Sequence, residues 1–186
     1  MLNIGIIGAG RIGKVHLESI SYHVKNAVVT AIADPFMNDE TKAFCEGFGV
    51  EKIYTDYKKI IEDETIDAVL VCSSTDTHAP ISIEAINAGK HVHLDKPASG
   101  TLAEYKHLLT TAKSKNLVVQ LAYMYRYNPA VQKCFELIKD GSLGEIYSIN
   151  AEMSTFHIPE YKKWLTNFGG GIMYILGSHL IDLIVY

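Results

Sequence analysis

The sequence predicts an α/β fold, a doubly wound parallel sheet followed by the start of a second, incomplete α+β domain. Through Ala122, short and nearly all-apolar segments alternate with amphipathic ones, a pattern typical of a parallel sheet covered by helices on both faces. After Ala122 this alternation stops, and a helical segment precedes one longer segment of alternating polarity. We therefore predict a first domain at residues 1–122 and a second at residues 123–186.

The strands of the first domain are predicted from apolar runs, and its helices from amphipathic periodicity. The predicted strands are residues 2–7, 28–33, 53–54, 68–72, 91–94 and 118–121. The predicted helices are residues 12–23, 38–48, 57–62, 77–88 and 102–115. Thr101 and Glu104 have the spacing of a capping box, which starts the last of these helices. Gly89 supplies a stop signal for the helix before it.

The second domain is predicted to contain a helix at residues 128–139, a strand at residues 145–156 and an apolar helix at residues 172–186. The last helix has no C-cap signal in its final turn. A lone strand and a lone helix cannot make a stable domain. We therefore expect that the rest of this domain lies outside the sequence, and that the chain alone lacks the activity of the whole protein.

Composition and charge narrow the class of protein and its partners. Of 186 residues, 48% are hydrophobic, which is enough for a full core, and the net charge is −4 without a basic block. This argues against a nucleic-acid partner. No signal peptide or membrane span is predicted. Cys45, Cys72 and Cys134 are odd in number and widely spaced, which indicates a reducing, cytoplasmic location and no metal site.

A glycine-rich turn directly follows the first strand. Its spacing, G-x-G-x-x-G, lets backbone N–H groups approach a pyrophosphate at the N-terminus of the next helix. Asp34 ends the second strand, about twenty positions further on, where its carboxylate can accept hydrogen bonds from an adenosine ribose. The sequence thus predicts a dinucleotide site at Gly8, Gly10, Arg11, Ile12, Gly13 and Asp34. A purely structural turn and a helix-capping Asp34 are the alternatives.

Asp34 also indicates which dinucleotide binds. A carboxylate accepts a free 2′-hydroxyl and repels a 2′-phosphate, and no arginine follows it. The nearest cation, Lys42, falls on the next predicted helix. We therefore predict NAD rather than NADP.

Further polar residues follow the fourth and fifth strands, at the edge of the sheet where ligands bind in open α/β folds. Ser73, Ser74 and His78 come after the fourth strand, and Asp95 and Lys96 after the fifth. A lysine there can hold a substrate hydroxyl and stabilise a developing alkoxide. The alternatives are a surface turn for Lys96, a turn residue rather than an orienting carboxylate for Asp95, and a structural His78.

Several motifs occur together and in a fixed order. They are the G-x-G-x-x-G turn with Asp34, SSTDTH at residues 73–78, DKP at 95–97, RYNP at 126–129, and GGG at 169–171 followed by GSHLID at 177–182. With these motifs the whole chain resembles the glucose-fructose oxidoreductase, inositol dehydrogenase and rhizopine-catabolism (Gfo/Idh/MocA) family. The resemblance implies an NAD-dependent oxidoreductase with a Rossmann domain, which transfers hydride between nicotinamide and a secondary alcohol of a sugar, polyol or inositol.

The resemblance also assigns roles in the site. It implies that Lys96 contacts the substrate and the cofactor, that Asp95 lies beside the cofactor, and that His179 is the general base. It places Arg126 and Asn128 at the substrate, with a salt bridge and a helix cap as their alternatives. Tyrosines at 123, 125 and 127 alternate, which predicts that only some face the site. The resemblance further implies that this protein is a homo-oligomer, either a dimer or a tetramer.

One position departs from the family pattern. Many members carry an aspartate one helical turn before the catalytic histidine, where this chain has Ile175. Residues at i and i+4 share a helix face, and isoleucine cannot hold the imidazole tautomer. Two alternative functions therefore remain open: an NAD-binding regulator without catalysis, and an NAD-assisted, redox-neutral glycosidase of the same family.

Overall fold

The computed structural model describes residues 1–98, 100–166 and 171–186. The chain divides into two units, Met1–Ala122 and Tyr123–Tyr186. The first unit contains six parallel strands in the order β3-β2-β1-β4-β5-β6. This confirms the predicted fold class, a parallel sheet of the doubly wound type. The strands are β1 Leu2–Ile7, β2 Ala27–Ala33, β3 Lys52–Tyr54, β4 Ala68–Val71, β5 His91–Leu94 and β6 Val119–Leu121.

Helices connect these strands at nearly the predicted bounds. They are α1 Arg11–His23, α2 Asp39–Gly47, α3 Lys58–Ile61, α4 His78–Asn87 and α5 Leu102–Ser114. A short 3₁₀ segment, Thr75–Thr77, precedes α4. The predicted capping box is present at α5, where the Thr101 hydroxyl accepts the Glu104 N–H and the Glu104 carboxylate accepts the Thr101 N–H.

Side chains of each central strand alternate between two hydrophobic clusters, one on each face of the sheet. In β1, Ile6 belongs to one cluster and Ile7 to the other. In β4, Leu70 belongs to the first, and Val69 and Val71 to the second. Because a strand turns successive side chains to opposite faces, strands buried on both faces have the nearly unbroken apolar sequence seen here.

The regular elements in the described residues of the second unit are all helical. This unit contains a 3₁₀ segment at Met124–Tyr127, then α6 Pro129–Lys139, α7 Pro159–Leu165, a π-helical turn at Met173–Gly177 and α8 Ser178–Val185. The predicted helix at 172–186 is thus split between a π turn and a shorter α-helix. Gly169 and Gly170 of the glycine motif lie outside the described residues.

The predicted strand at residues 145–156 is wrong, because this segment contains neither strand nor helix. A strand needs a neighbour to satisfy its backbone N–H and C=O groups. No described segment of the second unit offers an extended partner. The alternating sequence therefore stays irregular, and most of its side chains are exposed.

Candidate cofactor cleft and candidate catalytic residues

Two glycines of the turn after β1 have no room for a side chain. Gly8 has φ +105°, and a Cβ there would lie 2.6 Å from the backbone carbonyl of Cys72. A Cβ on Gly13 would lie 1.9 Å from the carbonyl oxygen of Gly8. A Cβ on Gly10, by contrast, would have no neighbouring atom within 4 Å. The turn is therefore packed closely against β4 and α1 while its middle glycine faces open space, as a backbone cradle for a ligand requires.

The carboxylate of Asp34 braces this turn. Its Oδ2 accepts the Ala9 N–H at 2.7 Å, and its Oδ1 accepts the Phe36 N–H at 2.8 Å. An ionised carboxylate has about four lone-pair sites, so two remain for ribose hydroxyls. The capping alternative is wrong, because Asn38 caps α2 by accepting the Thr41 N–H at 2.8 Å.

A cleft of about 650 Å³ opens at the carboxyl ends of β1 to β4. This volume is within the usual range of small-molecule sites. The cleft brings together five of the predicted site residues, namely Gly8, Gly10, Asp34, Ser73 and Ser74. Its other described lining residues are Ile7, Ala33, Pro35, Phe36, Thr55, Asp56, Tyr57, Cys72, Thr77 and Ile81. Predicted residues that do not line it are Arg11, Ile12, Gly13, His78, Asp95 and Lys96.

The cleft is acidic where the adenosine ribose would bind. Among its described lining residues, Asp34 and Asp56 carry charge, and both are negative. The sequence analysis did not identify Asp56 as a site residue. Asp56 follows β3, which pairs with β2 so that Ala33 lies opposite Tyr54, and this pairing brings Asp56 to the cleft. Phe36, with 89% of its surface exposed, adds an apolar face beside Asp34. These residues fit an adenosine without a 2′-phosphate.

The residues after β4 form a hydrogen-bonded loop at the cleft. The hydroxyls of Ser73 and Thr77 are 2.7 Å apart, and Thr77 donates to the carbonyl of Ser74 at 2.7 Å. His78 is 2% exposed, and its ring nitrogens lie 3.1 Å from the carbonyl oxygens of Pro97 and Ser73. His78 therefore ties the loop after β4 to the loop after β5, which is the structural alternative for this residue.

Asp95 and Lys96 stand in a partly buried environment after β5. Asp95 accepts the backbone N–H of Lys96 at 2.8 Å, as a turn residue does. Burial lowers the pKa of the Lys96 ammonium, the carboxylate of Asp95 opposes this, and Arg11 adds to the lowering. A lysine whose pKa is lowered in this way donates its proton more readily than an exposed lysine.

In the second unit, His179 lies on α8 with 4% of its surface exposed. The ring of Tyr123 stands 5.7 Å from the imidazole, centroid to centroid, at an angle of 78°. The ring of Tyr125 stands 5.0 Å away at 85°. Tyr127 is 61% exposed. The orientation of these tyrosines does not follow the alternation of a strand. Tyr125 and Tyr127 belong to a 3₁₀ segment, and Tyr123 is its N-cap residue.

Arg126 and Asn128 make contacts within the second unit that match their alternative roles. Arg126 forms a two-pronged ion pair with Asp182, in which Nε donates to Oδ2 at 2.7 Å and Nη2 to Oδ1. Its guanidinium lies 4.2 Å from the ring centroid of Tyr186. The Asn128 side chain caps α6 by accepting the N–H of Ala130 at 2.9 Å. Their contact with substrate stays a prediction.

The described residues contain neither a cluster of metal ligands nor a membrane-spanning helix. Within residues 1–98, 100–166 and 171–186, no three His, Cys, Asp or Glu side chains gather where they could hold a metal ion. In the same ranges no helix is long and apolar enough to cross a bilayer.

Comparisons with known proteins agree with this geometry. Residues 2–123 match the family model of the GFO/IDH/MocA oxidoreductases, described as an NAD-binding Rossmann fold, and residues 131–186 match the GFO/IDH/MocA C-terminal domain. The chain is 36% identical over 144 residues to myo-inositol 2-dehydrogenase of Thermotoga maritima, covering 77% of this chain and 42% of that protein. It is 30% identical over 165 residues to inositol 2-dehydrogenase of Salmonella typhimurium, covering 87% and 48%.

Among solved structures, scyllo-inositol dehydrogenase from Lactobacillus casei with bound NAD(H) and scyllo-inositol matches with a TM-score of 0.83 at 29% identity, over 99% of this chain and 55% of that one. The chain spans about half the length of the curated relatives it matches. The glycine turn, the cleft lined by Asp34 and the two family models lead to one conclusion: this chain belongs to the Gfo/Idh/MocA family of NAD-binding oxidoreductases.

Proposed function

We propose that the protein is an NAD-dependent dehydrogenase that oxidises a secondary alcohol of an inositol, a related polyol or a sugar. The observation that carries this proposal is the cleft of the first unit, where the open side of Gly10 and the carboxylate of Asp34 meet. The names of the relatives support the choice of a polyol substrate.

The first unit has residues that fit the cofactor. Backbone N–H groups at Gly10, Arg11 and Ile12, together with the positive end of α1, would hold the pyrophosphate. Asp34 would accept hydrogen bonds from the adenosine ribose, and Ser73 and Ser74 would lie along the rest of the dinucleotide. When bound, NAD supplies the hydride acceptor.

Two side chains would act on the substrate hydroxyl. Lys96 would donate a hydrogen bond to the substrate oxygen and stabilise the negative charge that develops there, a role that its lowered pKa favours. His179 would accept the hydroxyl proton as general base. Both assignments rest on the family motif, and each is tested separately.

A screen of inositols, polyols and sugars with NAD and the full-length protein, including the part of the second domain that lies outside this sequence, tests the proposal by NADH absorbance. We expect turnover with at least one of these alcohols. Lys96→Ala and His179→Ala should each lower the rate about a hundredfold or more. The matched controls Lys106→Ala and His107→Ala, both at exposed positions of α5, should leave it unchanged. Normal turnover in His179→Ala would refute the assignment of the base.

Ile175 favours a second candidate function. It is buried, 4% exposed, at the position where the family pattern has a carboxylate. An NAD-binding regulator would retain the cleft of the first unit without needing that carboxylate. Tight NAD binding with no turnover of any alcohol in the screen would favour this function over the dehydrogenase.

A further inference from the structure

The cofactor cleft contains a second carboxylate, that of Asp56, in the loop after β3. Asp56 and Asp34 both line this cleft. The backbone N–H of Asp34 donates to the carbonyl of Tyr54 at 3.1 Å, and Asp56 follows Tyr54 by two residues. Two residues span at most about 7 Å of backbone. The pairing of β2 with β3 therefore brings together two acidic residues that are distant in the sequence.

The side chain of Asp56 is held by its own loop. Its Oδ1 accepts the backbone N–H of Lys58, the first residue of α3, at 2.9 Å. Among the residues that the structure describes, its Oδ2 accepts no hydrogen bond. Asp34, by contrast, accepts one backbone N–H on each of its two oxygens. The negative charge of Asp56 is therefore offset by fewer N–H dipoles than the charge of Asp34.

The two carboxylates have no cation beside them among the described lining residues of the cleft. On the neighbouring helices, Lys42 and Lys59 are each paired with a glutamate at 3.8 Å, and Lys58 is exposed outside the lining. A phosphate monoester carries about −1.5 to −2 charges at neutral pH, and physiological salt screens charges only beyond about 8 Å. A 2′-phosphate beside Asp34 would therefore be repelled by Asp56 as well.

We propose that Asp56 is a second, independent determinant of the selectivity for NAD over NADP. Asp56 acts by charge repulsion across the cleft, whereas Asp34 also accepts hydrogen bonds from the ribose hydroxyls. Because the two charges act separately, removing one leaves the other in place. A substitution of Asp34 alone then lowers the selectivity without abolishing it. This inference rests on the proposed function, in which NAD binds in this cleft.

Calorimetric titrations of the full-length protein with NAD and with NADP test the proposal through the ratio of the two dissociation constants. Asp56→Asn removes the charge and retains an oxygen that can accept the Lys58 N–H. We expect this variant to bring the ratio about threefold or more closer to one. Asp34→Asn should still bind NAD about threefold or more tightly than NADP. Only the double variant, Asp34→Asn with Asp56→Asn, should bind the two dinucleotides about equally.

Two control variants separate the charge of Asp56 from its place in the loop. Asp56→Glu retains the charge and should keep the ratio near that of the wild type. Glu51→Gln removes one negative charge from an exposed residue at the amino end of the same strand, and it should leave the ratio unchanged. Because salt screens charge repulsion, the wild-type ratio should approach one as the salt concentration is raised. The ratio of the double variant should not change with salt.

Three results would contradict this inference. If Asp56→Asn binds NAD but changes the ratio no more than Glu51→Gln does, Asp56 has no part in the selectivity. If Asp34→Asn alone binds the two dinucleotides equally, there is no second determinant. If Asp56→Glu loses the selectivity, the shape of the loop and not its charge is responsible.

The outcome does not depend on any single variant or on turnover. Should Asp56→Asn fail to fold, the titrations of Asp34→Asn and the salt dependence of the wild-type ratio still decide the question. Because the titrations need no alcohol, a protein that selects NAD through both carboxylates but turns over no substrate would refute the proposed dehydrogenase and support this inference. A protein that turns over an alcohol with a ratio independent of Asp56 would do the reverse.

Discussion

At the scale of single residues, the carboxylate of Asp34 braces the glycine turn and also has the proposed role of binding the ribose. Its Oδ2 accepts the Ala9 N–H of the glycine turn, and its Oδ1 accepts the Phe36 N–H in the loop after β2. Under the proposed function, the lone pairs that remain would accept hydrogen bonds from the adenosine ribose. We therefore expect that replacing Asp34 changes both the cofactor selectivity and the brace of the turn, so variants that separate the two effects are needed.

Ile175→Asp is the residue-scale prediction for the second unit. A carboxylate one turn before His179 stabilises the imidazolium, so it raises the pKa of His179 and fixes the tautomer. The imidazole must be neutral to act as a base, so the acidic limb of the rate–pH profile should move to higher pH. At pH values above this limb, kcat should be higher than in the parent protein. Rates measured across the pH range with the best substrate of the screen check this.

Ile181→Asp is the matched control for that prediction, because it adds a carboxylate at a 52% exposed position of the same helix. It should leave the profile in place. The prediction fails if the Ile175→Asp protein is folded and active but its acidic limb coincides with that of the parent. In that case either His179 is not the base, or a carboxylate at position 175 does not reach the imidazole.

Residue identities could be predicted from the sequence only where a local motif fixes the geometry. Gly8, Gly13 and Asp34 belong to one short pattern whose turn conformation follows from its spacing. Asp56 could not be predicted in this way, since its place in the cleft depends on β3 pairing beside β2. The ion pair of Arg126 with Asp182 likewise joins residues 56 positions apart.

At the scale of elements, apolar runs predicted all six strands of the sheet, with ends that differ by at most one residue. These apolar runs are easily recognised in the sequence because the strands are buried on both faces and contain few polar residues. Alternation at residues 145–156 was a weaker signal, because it describes a surface that needs a partner strand. Tyr123 and Tyr125 lie against His179 while Tyr127 is exposed, but a 3₁₀ segment, whose side chains follow a different period from those of a strand, produces this arrangement.

Gly13→Ala is the prediction for the turn between β1 and α1. Its Cβ would lie 1.9 Å from the backbone oxygen of Gly8, so the turn must shift. We expect a loss of about 1–3 kcal/mol in the free energy of unfolding, and at least tenfold weaker NAD binding. Thermal melts and calorimetric titration with NAD measure the two effects.

Gly47→Ala is the control within the same unit. Gly47 closes α2, and a Cβ there would have no protein atom within 4 Å. Alanine is the better helix residue, so stability should be unchanged or slightly higher and NAD affinity unaltered. Wild-type NAD affinity in Gly13→Ala would refute the role given to the turn.

At the scale of the whole molecule, the cofactor cleft is assembled by the order of the strands. The carboxyl ends of β1 to β4 bring together residues as distant in sequence as Gly8, Asp34, Asp56 and Ser73. The sequence predicted a parallel sheet and a ligand at that edge, as open α/β folds require. The complete set of lining residues could be identified only from the order of the strands in the folded sheet. The resulting cleft contains two carboxylates and, among its described lining residues, no lysine or arginine.

Calorimetric titration with NAD and with NADP tests the central claim most directly. The account predicts that NAD binds at least tenfold more tightly, a difference of about 1.4 kcal/mol, because Asp34 and Asp56 repel a 2′-phosphate. Asp34→Asn, which removes the charge but retains an acceptor oxygen for Ala9, should narrow the gap, and so should Asp34→Ser. Equal affinity of the wild type for the two dinucleotides, or a preference for NADP, would contradict the account.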